Sequence, residues 1–151
     1  DPDGYRQRLS DFFDRVHVVK LSDEDLAWLD DTMSIEAHAE ALLARPHCEL
    51  VVVTRGEDGS QAFTRSGKAE VPIYAPPVFG DTVGAGDSLM AGVLSILGER
   101  EALVPGRLQA LDAPALQEML QFGAIVAGLN CAEKGCNPPD RSKVEAVLAT
   151  L

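Results

Sequence analysis

Apolar positions change period several times along the chain, and each change marks a different element. Tyr5 to Arg15 carries Leu9, Phe12 and Phe13 at helical spacing, after Asp1-Pro2-Asp3-Gly4, which reads as a turn. Val16-His17-Val18-Val19-Lys20-Leu21 is a short β-branched run, the form of a buried parallel strand. Ser22 followed by Asp23, Glu24 and Asp25 predicts an N-cap with an acidic first turn, opening a helix through Leu26, Trp28 and Leu29. A second helix is expected from about Ser34 to Arg45, where Pro46 stops it.

Glu49-Leu50-Val51-Val52-Val53-Thr54 is the strongest strand pattern, a solid aliphatic run of the kind buried on both faces. The turn Arg55-Gly56-Glu57-Asp58-Gly59 follows. Alternation in Ser60 to Arg65, the Ser66-Gly67 turn and Ala69 to Tyr74 then predict an antiparallel hairpin. After Pro76-Pro77, an apolar helical pattern runs through Leu89, Met90, Val93, Leu94 and Leu97. Gly98 to Asp112 reads as a connection with a short helix. A long helix begins near Ala113 and carries Leu116, Met119, Leu120, Ile125, Val126 and Leu129, with small residues Gly123, Ala124, Ala127 and Gly128 for close packing. Gly135, Pro138 and Pro139 end it, and Asp140 caps a last helix to Leu151. Strands alternating with helices predict an α/β layered fold with a mostly parallel sheet and the hairpin as its antiparallel edge. There is no internal repeat or low-complexity tract.

Composition narrows the classes. The 151 residues are 46% hydrophobic, enough for one domain with a real core. A net charge of −11 argues against nucleic-acid and acidic-membrane partners. It leaves nucleotides open, since a local backbone cradle with a bound cation overcomes the mean field. No apolar run is long enough to span a bilayer and no signal peptide is visible. Cys48, Cys131 and Cys136 lack paired C-x-x-C spacing, so reduced thiols in a cytoplasmic protein are expected. His17, His38 and His47 are scattered and pair with no nucleophile or ligand set.

The candidate chemistry lies between the hairpin and the apolar helix, in Asp81-Thr82-Val83-Gly84-Ala85-Gly86-Asp87. A loop runs directly into a helix start there, and Gly84 and Gly86 leave the backbone unshielded. The amides of the first turn can then point at an anion, helped by the helix dipole. Asp87 sits at the lip, where a carboxylate could take a proton from a hydroxyl attacking a phosphoryl group. The plainer alternative is a tight turn with Asp87 as N-cap. A second candidate is Thr54-x-Gly56-x-x-Gly59 at the end of the strongest strand, where ligands of open α/β sheets bind, though such a pattern is also an ordinary turn.

Asp81 to Asp87 resembles the D-T-x-G-A-G-D signature of the ribokinase-like (PfkB) carbohydrate kinases. That resemblance implies a ribokinase-like three-layer α/β/α fold, of which residues 1–151 would be the C-terminal nucleotide-binding and catalytic part, with the N-terminal half and lid outside this sequence. It implies Asp87 as catalytic base, Gly84, Ala85 and Gly86 as the anion hole, and Asp81 and the Val83 carbonyl as ligands of a monovalent cation such as K+, joined by Gly135. Thr54, Gly56 and Gly59 would lie against ATP, with Asn130 on the helix that contacts adenine. The family's Asn-x-x-Glu pair, which organises Mg2+ and phosphate, falls on Ser22 and Asp25. Both depart from the pattern, and simple helix capping is the favoured explanation of them.

Lys20-Leu21-Ser22-Asp23-Glu24-Asp25-Leu26 and Gly135-Cys136-Asn137-Pro138-Pro139 resemble bacterial fructokinases, implying phosphorylation of fructose to fructose 6-phosphate. Ribose and 2-keto-3-deoxygluconate kinases share the main motif, and a catalytically silent nucleotide-binding half is the alternative of another class. No Walker-type P-loop is present. A sugar, ATP and a second copy of the chain, joined through the lid, are the implied partners.

Overall fold

A computed structural model describes residues 1–151 in the order α1 (Pro2–Phe13), β1 (Val18–Ser22), α2 (Asp23–Leu29), α3 (Ile35–Leu43), β2 (Leu50–Thr54), β3 (Ser60–Phe63), β4 (Lys68–Val71), α4 (Ala85–Glu99), α5 (Ala113–Cys131) and α6 (Arg141–Leu148). The helix starts follow local chemistry. Ser22, Ser34, Asp112 and Asp140 each accept a hydrogen bond from a first-turn amide. Asp1 caps α1 with Pro2 in its first turn, so the segment expected to be a turn is already helix. Within α1, Phe13 is buried and Phe12 lies open at 61% exposure, because Leu9 and Phe13 share the inward face. The hairpin's second strand ends at Val71, since Pro72 has no amide for the ladder.

The strands form one sheet in the order β1-β2-β3-β4. β1 pairs parallel to β2, with Val18 opposite Leu50 and Ser22 opposite Thr54. β2 pairs antiparallel to β3, and β3 to β4. Within this chain the sheet is therefore mixed rather than mostly parallel. Helices α2 and α3 supply the crossover that a parallel pair needs, whereas short turns join β2 to β3 and β3 to β4. The hairpin forms the antiparallel edge.

Side-chain alternation on β2 splits the core in two. Leu50 and Val52 face α4 and α5, packing with Leu89, Val93, Leu116, Met119 and Ile125. Val51 and Val53 face the opposite layer, with Phe13, Leu26, Ala39 and Leu42 of α1 to α3. Both sides of the central strand are thus covered, which is why its pattern is continuous. The result is a three-layer α/β/α arrangement in which α4 and α5 lie against each other along their lengths.

Close approach of α4 to α5 is set by two glycines. A Cβ on Gly92 would lie 2.8 Å from Gly123 Cα, and one on Gly123 would lie 2.9 Å from the Leu89 carbonyl oxygen. This packing and the sheet aim the N-terminus of α4 at the carboxyl end of β1.

Candidate active site

The loop before α4 reaches its helix through Gly84, which has φ +76° and stands at the N-cap without a capping side chain. Glycine takes that conformation at low cost. The Ala85 amide donates to the Thr82 carbonyl at 3.1 Å, so it is already spent in the turn. The amides of Gly84, Gly86 and Asp87 have no protein acceptor. Of the expected Gly84-Ala85-Gly86 cradle, the two glycine amides are free, and Asp87 adds a third. Asp87 lies in the first turn, past the N-cap position, and its side chain is exposed with no hydrogen-bond partner. Three bare amides at the positive end of a 15-residue helix, with a free carboxylate beside them, can seat a phosphate and accept a proton from a neighbouring hydroxyl.

Hydrogen bonds between neighbouring loops hold this one in place. Asp81 Oδ1 accepts from the Val83 amide at 2.9 Å and Oδ2 from the Gly135 amide at 2.8 Å. The Gly135 amide first, and the Val83 amide second, hold the Asp81 carboxyl below the usual carboxylate range. Asn130 is fully buried on α5; its Nδ2 donates to the Val83 carbonyl at 2.8 Å and its Oδ1 accepts from the Asn137 amide at 2.8 Å. The Gly80 amide donates to the Cys131 carbonyl at 2.7 Å. Asn130 therefore sits inside the wall of the site, tying its two loops together, with no surface open to a nucleotide base. Gly135 has φ +75° and open space around its Cα.

A monovalent cation fits this loop chemically. Asp81 spends one lone pair of each oxygen on an amide, and the Val83 carbonyl spends one on Asn130, so each retains acceptor capacity. A divalent ion finds no group of three or more His, Cys, Asp or Glu side chains. Asp25 and Asp87 supply single carboxylates, the number that suits magnesium carried on phosphate oxygens.

The end of β1 forms the opposite wall. Ser22 Oγ accepts from the Asp25 amide at 3.0 Å, and Asp25 Oδ2 accepts from the Ser22 amide at 2.8 Å. This is a closed capping box. The Ser22 amide and then its hydroxyl hold the Asp25 carboxyl below its ordinary range. Asp25 Oδ1 remains free for a ligand.

Thr54 stands opposite Ser22 in register, its Oγ1 3.5 Å from the Leu21 carbonyl. The turn after it uses both glycines at positive φ, for different reasons. Gly56 (φ +52°) is exposed with open space around it, available to a ligand over the sheet end. Gly59 (φ +86°) is buried, and a Cβ there would lie 2.1 Å from the Val71 carbonyl oxygen, so it serves the packing of the hairpin.

Two residues at the cradle carry no role in the sequence motif. Lys20 sends its ammonium to Gly86, where a Cβ would lie 2.8 Å from Nζ. Cys136 lies over Gly84, where a Cβ would lie 2.5 Å from Sγ. Only for Lys20 was a signal readable beforehand, as a basic residue near the end of an otherwise apolar strand.

A family model for pfkB family carbohydrate kinases matches residues 1–143. The fructokinase of Rhizobium leguminosarum bv. trifolii is 33% identical over 120 residues, covering 78% of this chain and 35% of that protein. The probable fructokinase-4 of Arabidopsis thaliana is 27% identical over 146 residues, covering 95% of this chain and 42% of that protein. The chain thus spans well under half the length of these curated relatives. Among solved structures, ribokinase from Giardia lamblia superposes with a TM-score of 0.79 at 24% identity, over 94% of this chain and 46% of that one. Fructokinase from Vibrio cholerae O395, crystallised with fructose, ADP and calcium ion bound, gives a TM-score of 0.73 at 26% identity, over 96% of this chain and 45% of that one. The fold described above is that of the ribokinase family.

Proposed function

The chain belongs to the pfkB family of carbohydrate kinases, and from that premise we propose that residues 1–151 form the nucleotide-binding and catalytic part of an ATP-dependent sugar kinase, with fructose as the acceptor and fructose 6-phosphate as the product. The observation that carries this proposal is the free, exposed carboxylate of Asp87 beside the unpartnered amides of Gly84, Gly86 and Asp87.

The terminal phosphate of ATP rests on those amides. Asp87 accepts the proton of a sugar hydroxyl as its oxygen forms a bond to the terminal phosphorus. The bond from that phosphorus to the bridging oxygen of ADP breaks, leaving a sugar phosphate and ADP. Asp87 works by placement, since the helix end beside it favours the ionised form. Magnesium, when bound, supplies charge neutralisation on the phosphates, and Asp25 and Ser22 would face it. Asp81, the Val83 carbonyl and Gly135 would hold a potassium ion behind the cradle. Thr54 and Gly56 lie where the nucleotide crosses the sheet end.

Fructose is favoured over other sugars by the Rhizobium relative and by the fructose-bound Vibrio structure. By the family resemblance, the proposal extends to a cytoplasmic enzyme acting as a homodimer; the three cysteines are free, and no helix is long and apolar enough to cross a membrane.

Sugar-dependent ADP release from the full-length protein, measured across fructose, ribose and 2-keto-3-deoxygluconate, tests the proposal. Fructose is expected to give the highest kcat/KM, and Asp87→Asn to lower kcat by roughly 10²–10⁴-fold. Turnover undiminished in that variant removes Asp87 from the mechanism; ATP binding without turnover on any sugar leaves a silent nucleotide-binding part.

A further inference from the structure

His17 and His47 lie far apart in the chain, and the parallel pairing of β1 with β2 brings them together. His17 stands just before β1, and His47 lies in the turn that leads into β2. Their ring centroids are 5.5 Å apart, with the planes at 43°. The His17 carbonyl accepts from the Glu49 and Leu50 amides at 2.8 and 3.1 Å, which pins its main chain beside the segment carrying His47. Pro46 restricts the backbone on one side of His47, and buried Cys48 anchors it on the other.

Of the histidines, only His38 bonds to protein, its Nε2 lying 2.9 Å from the Asp30 carbonyl oxygen. The ring nitrogens of His17 and His47 have no protein partner and are open to solvent. Glu49, beside the pair, commits Oε1 to the Gly106 amide and Oε2 to the Gln109 amide. Two imidazoles with free nitrogens are left side by side, a donor set that suits zinc-class ions and not magnesium or calcium. The spacing fits as well. A metal–nitrogen bond of about 2.0–2.1 Å puts each ring centroid about 3.2 Å from a shared ion, and a tetrahedral angle then separates the centroids by about 5.3 Å. A tilted aromatic contact has a similar spacing but leaves the nitrogen lone pairs unused. The net charge of −11 raises the concentration of cations around the chain.

We infer that His17 and His47 form a two-histidine site for a zinc-class divalent ion, with water completing the coordination. β1 runs from this pair to Ser22 at the cradle, which places the ion at the opposite end of the strand, roughly 15 Å from the phosphate site. It is therefore separate from the magnesium and potassium of the kinase proposal and stands whether or not that proposal holds. No covalent bond of the chain is made or broken: each neutral imidazole gives a nitrogen lone pair to the ion. An ion joining the starts of β1 and β2 stabilises the folded state, because the unfolded chain does not hold the two rings together.

Calorimetric titration of the full-length protein with zinc chloride, without nucleotide, tests the inference. Wild type is expected to bind one zinc more than His17→Gln or His47→Gln, and magnesium chloride to show no such difference. Equal zinc stoichiometry and affinity in wild type and both variants overturns the inference. A measurement that needs no variant accompanies it: zinc should slow carbethoxylation of His17 and His47 by diethyl pyrocarbonate, read by mass spectrometry, and EDTA should restore the rate. Unchanged rates at both rings overturn the inference and leave an aromatic contact only. Equal slowing by magnesium overturns it too, since imidazole would then not be the ligand.

Discussion

Asn130 does two jobs with one carboxamide. Its nitrogen holds the Val83 carbonyl and its oxygen holds the Asn137 amide, both from a fully buried position. Asn130→Leu keeps the volume and strands one acceptor and one donor, at a cost of about 1–3 kcal/mol. Urea unfolding should show that loss as a lower midpoint with unchanged slope, and an unchanged midpoint would mean that neither bond persists in solution. The residue is polar in a helix of apolar neighbours, a signal that something needs it, but its two partners come from separate loops and no local pattern names them. Gly56 and Gly59 teach the same lesson. Both belong to one T-x-G-x-x-G string and both adopt positive φ, yet one is open to solvent and the other is pressed on the Val71 carbonyl. The string marks the turn; the hairpin that folds back beneath it decides which glycine a ligand can reach.

Among the elements, the pairing of α4 with α5 controls where the cradle points. Small residues on α5 are legible as a close-packing stripe, and the contacts are at Gly123 against Leu89 and Gly92. Helix propensity favours Ala over Gly by roughly 0.5–1 kcal/mol, so Gly123→Ala would stabilise an isolated helix. Here the new methyl meets a backbone carbonyl oxygen at 2.9 Å, which gives way only if the helices separate. Overpacking costs about 1–3 kcal/mol and outweighs the propensity gain. Thermal unfolding should therefore show a lower Tm for Gly123→Ala, and a raised Tm would show that α4 has room to shift. The capping of α2 was readable because Ser22 and Asp25 are three residues apart. The start of α1 at Pro2 was not, since Asp-Pro-Asp-Gly serves a turn and a capped helix start equally well.

Across the whole molecule, β1 bonds to β2 on one side and has no strand on the other. Apolar side chains are also exposed in the segment between β4 and α4, where Ile73, Val78, Phe79 and Val83 are between 47% and 69% exposed. An unpaired edge and apolar surface favour self-association. Sedimentation velocity on the 151-residue chain should show a weight-average mass that rises with concentration. A single monomeric species over a hundredfold range would mean that this surface is better solvated than its composition suggests. The net charge of −11 opposes such association, so added salt should strengthen it.

Periodicity and capping chemistry determined the order of the elements, the hairpin, the bare glycines ahead of α4 and the exposed carboxylate that follows them, because each depends on residues a few positions apart. The tertiary structure decided that the Ala85 amide is spent, that Asn130 faces inward, that Gly59 is buried and that Lys20 meets Gly86. Those outcomes rest on contacts between segments far apart in the chain, where the packing of α4, α5 and the sheet fixes distances that no local pattern encodes. The chemistry was written in the motif, and the charge that faces it came from a strand on the other side of the cradle.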